Sequence, residues 1–567
     1  MKATEPRNQQ ILPEEFSMAT LEKNLAALAH TNESFFQRIC LPVDGSHVHF
    51  LKNGETLFQI NQTLFPLVMH KEELDGTLQD VKDSQSILLF GIGLGEQLDD
   101  LLKRFKKAKI TAWDRDPWLI RLALMKADFS HYISSGRLEL HMGADILDIL
   151  DTAKTASIVC HPLLRSVYKN EWKLLQNGDG AKRAMICSGG LFVDDVSKAL
   201  EGFGYTLYTL DVKGLSVEEI SLAIRRFNPM VAFAVNYTNG LAELFESHGV
   251  DLICWEVDPA TDQPKPISTG SERAYIFTYR QANVEDFVKA GFNNVEHLPL
   301  AADIEKRSPI QLLPEEHDIY DVPLSFVGSS MLDNATSFRN IFLSQYRSYR
   351  GGSEDAVKEG EQRLEEVLSI QRQDFSVYVI PDLLAKHFSG FVSYLLELPG
   401  AHDPFIMVGE IAAAEKRINY IANLGSLGVK VWGDDGWRSA ERYGVKYMGS
   451  AGHTFEINKI YGASGINVDI NRLFQMDIIP MRIFDIMACG GFVLAEYSRE
   501  LAGIFEIGIE IETYSTFDEL ASKAAYYLDH ESEALKIVER GMDAVRKNHR
   551  ISTRVEHMLK ACAQKTY

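Results

Sequence analysis

Two aspartates in the last third of the chain have the type and spacing of a pair that could bind one ligand. Asp477 and Asp485 are eight residues apart, the first in a predicted loop and the second in a predicted helix. Carboxylate oxygens accept hydrogen bonds from the hydroxyls of a diol, and bonds to a charged group are the stronger kind. We therefore expect Asp477 to act at a sugar ring, as a catalytic residue, and Asp485 to bind a ribose.

The segment that carries these aspartates is typical of a strand, a loop, a helix, a Gly-Gly turn and a second strand. Ile466–Arg472 contains the first strand, and Asp477–Glu496 contains the helix, the turn and the next strand. A crevice at the carboxyl ends of such strands accommodates a nucleotide. An ordinary helix on a sheet, with solvated aspartates and a capping glycine, is the alternative. The predicted ligand-binding set from this segment is Asn467, Asn471, Arg482, Asp485, Gly490 and Gly491.

A diphosphate group can be neutralised here without a metal ion. Backbone N–H groups after a predicted strand and the helix start near Pro480 attract anions, and Arg482 or Arg339 can add a cation. The planar fork of arginine matches phosphate oxygens. Arg482 precedes Asp485 by three residues, so a salt bridge between them is the alternative. The predicted phosphate-side set also includes Gly328, Ser329 and Gly433.

The amino-acid sequence of this segment resembles that of a known protein family. Arg482–Tyr497 reads R-I-F-D-I-M-A-C-G-G-F-V-L-A-E-Y, which resembles the donor-binding half of two-domain GT-B glycosyltransferases, and within that superfamily the CgeB-like branch. Retaining members carry Glu-x7-Glu where this chain has aspartates. C-W-E-V-D-P from Cys254 and L-P-L-A-A-D from Leu298 resemble the accompanying N-terminal domain. The resemblance covers roughly residues 183–548. It implies transfer of a sugar from a UDP-, GDP- or dTDP-sugar to an acceptor.

A second glycine-rich segment lies in the first third of the chain. Ser86–Gly95 is a predicted strand ending in glycines, and a helix and a strand that ends at Asp114 follow. Glycines permit close backbone approach and the acid can accept from ribose hydroxyls. Three interpretations stay open: a scaffold, a small-ligand site, and an S-adenosylmethionine-dependent methyltransferase with Asp145 on the adenine side. L-L-F-G-I-G-L-G-E-Q-L, from Leu88, resembles the Maf motility-accessory proteins. That resemblance implies a protein acceptor such as flagellin in a bacterial cell.

Strands and helices alternate along the chain and predict an α/β protein with three doubly wound, Rossmann-like blocks. The last two are expected to form the GT-B transferase. The predicted boundaries are residues 1–175 for the Maf-like block, 183–305 for the acceptor side, 318–548 for the donor side and 549–567 for a C-terminal helix. A helical insertion is expected over residues 352–399, and the final helix over about Ser552–Gln564.

The general base of an inverting reaction is not fixed by spacing. Asp258, Glu256, His297 and His453 all remain possible, and Asp258 and His453 join Asp477 in the predicted catalytic set. Asp114 and Asp116 spell a metal-type Asp-x-Asp, but ribose binding or a helix cap explains them better. No metal requirement is therefore predicted. A noncatalytic nucleotide-sugar-binding scaffold is the remaining alternative.

Composition restricts the partners. The 567 residues carry a formal net charge of −21, which disfavours general nucleic-acid binding. Six scattered cysteines suggest neither a disulfide framework nor a zinc site. Met1–Arg7 lacks the apolar region of a signal peptide, and no later run is long enough for a membrane span. We therefore expect a cytoplasmic enzyme, with homo-oligomers possible.

Overall fold

The computed structural model describes residues 12–60, 63–79, 81, 86–258, 264–452 and 455–564. Met1–Arg7 and His453, both discussed above, lie outside these residues. The chain divides into two compact units. The first comprises the described parts of Met1–Phe277, Asp286–Glu296 and Met558–Tyr567, and the second comprises those of Thr278–Glu285 and His297–His557.

Four sheets organise the described residues. The hairpin sheet contains β1 Val48–Phe50, β2 Thr56–Ile60 and β3 Thr63–Pro66. The first parallel sheet, called the first sheet below, contains β4 Ser86–Phe90, β5 Lys109–Asp114, β6 Leu138–Met142 and β7 Ser157–Cys160. The second sheet contains β8 Arg183–Cys187, β9 Thr206–Leu210, β10 Val231–Val235, β11 Asp251–Glu256, β12 Ala274–Thr278 and β13 Asn294–His297. The third contains β14 Leu324–Val327, β15 Val429–Trp432, β16 Lys446–Tyr447, β17 Ile466–Val468, β18 Val493–Glu496 and β19 Glu512–Tyr514.

Helices connect these strands. Those of the N-terminal part are α1 Met18–Thr31, α2 Glu33–Ile39, α3 Lys71–Leu78, α4 Glu96–Arg104, α5 Pro117–Lys126, α6 Ser130–Ser134, α7 Leu150–Ala153, α8 Pro162–Val167, α9 Lys169–Asn177, α10 Val193–Gly202, α11 Val217–Phe227, α12 Leu241–Ser247 and α13 Gln281–Lys289. The remainder are α14 His317–Tyr320, α15 Leu332–Tyr349, α16 Glu354–Gln371, α17 Ile380–Glu397, α18 Pro404–Asn423, α19 Glu456–Ala463, α20 Met481–Ala488, α21 Arg499–Ala502, α22 Phe517–Asp529, α23 Glu531–Asn548 and α24 Ile551–Gln564.

The strand orders are β6-β5-β4-β7, β13-β12-β11-β10-β8-β9 and β16-β15-β14-β17-β18-β19. Pairing is parallel throughout the first and third sheets and among β8, β9, β10 and β11 of the second. Central strands such as Val231–Val235 are buried along their whole length, because helices cover both faces of such a sheet. The predicted α/β fold with three parallel-sheet blocks is confirmed.

One hydrophobic core runs through the first unit. It includes Leu89 of the first sheet, Cys254 of the second and Leu28 of α1. Arg38, just beyond this core, binds two buried carboxylates from different blocks. It contacts both oxygens of Asp145 at 2.8 Å and those of Glu219 at 2.9 and 2.7 Å. The four-stranded sheet and the second sheet are therefore joined by both apolar packing and ion pairs.

The third sheet has its topological switch point between β14 and β17. The chain moves from β14 to β15 and β16 on one side, and then to β17, β18 and β19 on the other. Loops after β14 and β17 therefore leave in opposite directions and open a crevice at the carboxyl edge. Helix α18, which lay beyond the predicted insertion, packs against this sheet with most of its surface buried.

None of the helices in the described ranges is long and apolar enough to cross a bilayer. All six cysteines are free, and Cys187, Cys254, Cys489 and Cys562 are buried. The thiol of Cys562 near the end of α24 lies beside Asp251 of β11, so this end of the helix packs on the second sheet.

His549 in the second unit makes stability depend on pH. Burial, and then the charge of Arg554, lowers the pKa of His549 to about 4 from 6.5. The unfolded chain therefore binds the proton more readily between these pH values, so the free energy of unfolding falls as the pH drops through this window. We expect a loss of about 2 kcal/mol between pH 6.5 and 5 from this residue.

Urea unfolding of the wild type and of His549→Gln at both pH values measures this loss. Glutamine can still accept the hydrogen bond that Arg554 donates to His549 Nδ1 at 2.8 Å. The variant should show a correspondingly weaker pH dependence. An identical pH dependence in both proteins would show that His549 is not the titrating group.

Candidate functional site

Two arginines close the crevice between β14 and β17. Arg417 of α18 donates from Nη1 to the Ser329 carbonyl at 2.9 Å and from Nη2 to the Ile470 carbonyl at 3.2 Å. Arg482 of α20 donates from Nε to Asp469 Oδ1 at 2.8 Å and from Nη1 to the carbonyl of Val327. Both guanidinium groups therefore bridge the loops that follow the two strands.

A third arginine lies at this edge. Arg472 pairs with Glu410 of α18 at 3.3 Å. Burial raises the pKa of the Glu410 carboxyl, while the charges of Arg472 and Arg417 act in the opposite direction. Burial, followed by the charges of Arg482 and Arg472, lowers the pKa of Arg417 to about 9. A bound anion would relieve this repulsion, so the crevice has the electrostatics of an anion site.

The loop after β14 binds an anion that belongs to the chain itself. Asp434 Oδ2 accepts from the Ser330 backbone N–H at 2.8 Å and from the Ser329 hydroxyl at 2.5 Å, and Oδ1 accepts from the Gly436 N–H at 3.0 Å. Burial raises the pKa of Asp434, but these hydrogen bonds outweigh it and the net pKa is lowered. The Ser330 N–H is therefore already used by the chain itself, and the binding of a diphosphate at Gly328 and Ser329 stays a prediction.

Asp477 and Asp485, the two aspartates predicted to bind the donor, are each bound by an arginine. Arg280 Nε lies 2.9 and 2.8 Å from the two oxygens of Asp477, and Arg307 Nε lies 3.1 Å from Asp485 Oδ2. Asp485 is 4% exposed. Arg482 pairs with Asp469, so the alternative salt bridge between Arg482 and Asp485 is replaced by two separate pairs.

Three residues of the predicted ligand-binding set have structural roles in the sheet or in the turn that precedes β18. Asn467 accepts from the Ser325 hydroxyl at 2.9 Å and donates to the Tyr461 carbonyl at 3.0 Å, which ties β17 to its neighbours. Gly490, with φ +76°, and Gly491 form the turn that ends α20. That turn precedes β18 and lies at the amino edge, opposite the crevice. The site proposed below therefore contains none of these three residues.

Gly433 has a steric role beside the crevice. A Cβ at this position would lie 2.2 Å from the carbonyl oxygen of Gly328, so glycine permits the chain ends of β15 and β14 to approach. Arg339, the other predicted phosphate ligand, pairs instead with Glu365 at 3.5 Å on neighbouring helices.

The predicted acids of the first unit lie at the carboxyl edge of the second sheet. Asn236, whose φ is +61°, accepts from the backbone N–H groups of Val257 at 2.8 Å and Asp258 at 3.3 Å. Glu256 is 2% exposed, and burial raises the pKa of its carboxyl to about 7. Asp258 and Glu256 are thus held near each other, and both remain candidates for proton transfer. His297 belongs to the second unit, where its Nε2 lies 3.3 Å from the Tyr279 carbonyl.

The acid of the N-terminal glycine-rich loop is already saturated by protein donors. Asp114 Oδ2 accepts from the N–H groups of Ile92 and Gly93 at 2.7 and 3.2 Å, and Oδ1 accepts from the Tyr168 hydroxyl at 2.8 Å. A Cβ at Gly93 would lie 2.8 Å from His161 Cδ2, so the imidazole packs on the glycine. Among the open interpretations, these contacts favour a scaffold over a methyltransferase.

Several residues of the crevice were not among those predicted from the sequence. Asp469 directly follows β17, and that position alone was a usable signal. Glu410 and Arg417 interrupt the apolar helix α18, and charged residues in such a helix are buried only when paired. The arginines that bind Asp477 and Asp485 come from distant parts of the sequence. Within the described ranges, no group of three histidine, cysteine, aspartate or glutamate side chains is placed to hold a metal ion.

Comparison with known proteins identifies one part of the chain. Residues 413–560 match a protein family described as "Glycosyl transferase-like". This stretch, which contains Arg417, Asp469 and Arg482, is therefore a glycosyltransferase-like domain. No curated protein sequence matches the chain at the required significance.

Several solved structures are similar at low sequence identity. A glycosyltransferase from Rickettsia africae ESF-5 is 12% identical, with coverage of 68% of this chain and 98% of the other and a TM-score of 0.40. Anabaena HepE in complex with UDP-glucose is 10% identical, with coverages of 67% and 99% and a TM-score of 0.37. Sucrose-phosphate synthase from Thermosynechococcus elongatus is 10% identical, with coverages of 68% and 99% and a TM-score of 0.38. Similarity at this level does not identify a substrate.

Proposed function

We propose that the chain is a GT-B glycosyltransferase that moves a sugar from a nucleotide-sugar donor to a protein or surface-glycan acceptor. The observation that carries this proposal is the group of three guanidiniums, Arg417, Arg472 and Arg482, at the switch point of the third sheet. These groups lie within the glycosyltransferase-like residues 413–560. A nucleoside diphosphate supplies the anion that such a cluster attracts.

The proposed chemistry uses these cations at the leaving group. Negative charge builds up on the diphosphate as the bond to the sugar breaks, and fixed cations in a partly buried site stabilise that charge. Arg417 and Arg482 are held by main-chain carbonyls and Asp469, so they need little reorganisation. We propose that they act without a divalent metal ion, and that UDP-, GDP- and dTDP-sugars are the donors to test.

Acceptor activation is proposed for Asp258 of the first unit or for His453, which lies outside the described residues. Asp477 is a proposed contact to the sugar once Arg280 is displaced. The resemblance of the N-terminal block to the Maf proteins supports a protein acceptor, with flagellin as the first acceptor to test. We further propose the block boundaries given from the sequence, a cytoplasmic location, and tests for homo-oligomers.

A noncatalytic nucleotide-sugar-binding scaffold is the second candidate. One observation favours it: Asp477 and Asp485 are both bound to arginines, so neither carboxylate is poised for a substrate hydroxyl. Release of nucleoside diphosphate from a bound donor separates the two candidates. Tight binding without any release would favour the scaffold.

Binding of sugar nucleotides to the intact chain tests the proposed site. Arg417→Met should weaken the affinity for the best donor by about 10- to 100-fold, because a hydrogen bond to a charged group contributes about 1.5–3 kcal/mol. Isothermal titration calorimetry with UDP-, GDP- and dTDP-sugars measures this effect. The exposed Arg442 is the matched control, and Arg442→Met should bind as the wild type does. If none of these donors binds the wild type, the proposed function is refuted.

A further inference from the structure

Two buried acceptor oxygens in the loop that follows β17 lack a hydrogen-bond donor anywhere in the described part of the chain. They are Asp469 Oδ2 and Asn471 Oδ1. Asp469 is fully buried and Asn471 is 4% exposed. A buried acceptor without a donor is unfavourable, and such groups are uncommon in folded proteins. Their position in the loop after β17 places both at the proposed donor site.

The other groups of these two residues are fixed. Asp469 Oδ1 binds Arg482 at 2.8 Å, and the Asp469 carbonyl accepts from the Tyr514 hydroxyl at 2.7 Å. The Asn471 N–H donates to Glu496 Oε2 at 3.0 Å, and Glu496 is itself held by the buried Lys416 at 2.5 Å. The Asp469 side chain is therefore held by Arg482, and the backbone that carries the Asn471 side chain is held by Glu496.

The chemistry of the surrounding groups restricts the ligand. Arginine offers only hydrogen-bond donors, whereas these two oxygens offer only acceptors. A ligand that satisfies both must combine an anionic group with hydrogen-bond donors. Asp477 and Asp485, the acids first expected to bind hydroxyls, are held by Arg280 and Arg307.

Building on the proposed function, we propose that Asp469 and Asn471 bind the hydroxyl groups of the nucleotide-sugar donor. The phosphate oxygens of the same donor meet the arginines, and its hydroxyls donate to Asp469 Oδ2 and Asn471 Oδ1. These hydroxyls belong either to the ribose or to the transferred sugar. The two sources can be distinguished by ligands that carry one set and lack the other.

Asn471→Leu provides the variant, because leucine keeps a similar volume and removes the acceptor. A structural asparagine would lose stability on this change. Here the unliganded variant should melt at the same or a higher temperature, since it no longer buries an unpaired acceptor. Asn24 of the first unit is the matched control. Its side chain donates to the carbonyls of Leu124 and Ala127 and accepts from the N–H of Phe129. Asn24→Leu should melt earlier and bind normally.

Calorimetric titration of the intact chain with UDP, 2′,3′-dideoxy-UDP and UDP-glucose distinguishes the sources, with the matching GDP ligands where guanine binds better. If the ribose is bound, the wild type prefers UDP to dideoxy-UDP by about tenfold, which corresponds to 1.4 kcal/mol, and Asn471→Leu loses this preference. If the sugar is bound, the variant loses about tenfold in affinity for UDP-glucose and none for UDP.

Either result supports the proposed role. Equal affinities of variant and wild type for all three ligands would overturn it while leaving the proposed function intact. A wild type that binds none of the UDP, GDP or dTDP ligands would refute the proposed function together with this role.

Discussion

Replacing Arg482 by methionine is expected to lower kcat/KM for donor cleavage by about 10²–10³-fold, the cost of losing one group that stabilises transition-state charge. Arg482 lies over Gly328, where a Cβ would come within 2.7 Å of its Nη1, and it joins Val327 to Asp469. Release of nucleoside diphosphate from the donor that binds measures the effect. Arg482→Lys should fall between the two proteins, because it keeps the charge and loses the planar fork.

Arg482→Met alone would also leave the buried Asp469 without its ionic partner and could lower the stability of the fold. The double variant Arg482→Met with Asp469→Asn removes both charges and should recover most of the melting temperature. Its activity should remain as low as that of Arg482→Met alone. Recovery of activity together with stability would show that Arg482 has a structural role only.

Replacing Arg38 by methionine is expected to lower the free energy of unfolding of the first unit by about 3–5 kcal/mol, the usual cost of breaking a buried pair by removing one partner. Glu219 would lose its two contacts with Arg38, and Asp145 would keep Arg226 and the hydrogen bond from the Met142 N–H. Urea unfolding followed by fluorescence and circular dichroism measures this loss.

Two further proteins test that explanation. Arg225 is exposed on the same helix as Arg226, and Arg225→Met should change the stability by less than about 0.5 kcal/mol. Adding Glu219→Gln to Arg38→Met should restore part of the lost stability, because the unpaired charge is removed. A loss below about 1 kcal/mol for Arg38→Met would show that the network contributes no more than a surface pair.

Much of the fold could be predicted because local signals and the packed structure agree. The buried apolar run that ends in glycines, Ser86–Gly95, predicted the position of β4, Ser86–Phe90. The final helix was expected over about Ser552–Gln564 and begins at Ile551. Strand β3 was not predicted, and neither was α18. In α18 the charged residues interrupt the apolar pattern, and only the sheet packed around the helix explains their burial.

The candidate site could be predicted only where it follows a strand directly. Arg482, Asn471 and the glycine-serine loop, which were all named from the sequence, lie at the carboxyl edge of the third sheet. The partners of Asp477 and Asp485 were not predictable, because Arg280 and Arg307 are 197 and 178 residues away in sequence. Such pairs form only through tertiary structure, and spacing within one segment contains no information about them.

The structure of the intact chain bound to its best nucleoside diphosphate shows directly where the phosphates bind. We expect the phosphate oxygens to lie within hydrogen-bond distance of Arg417 and Arg482, at the carboxyl edge between β14 and β17. Phosphates found at another edge of the third sheet, or in the glycine-rich loop of the first unit, would contradict it.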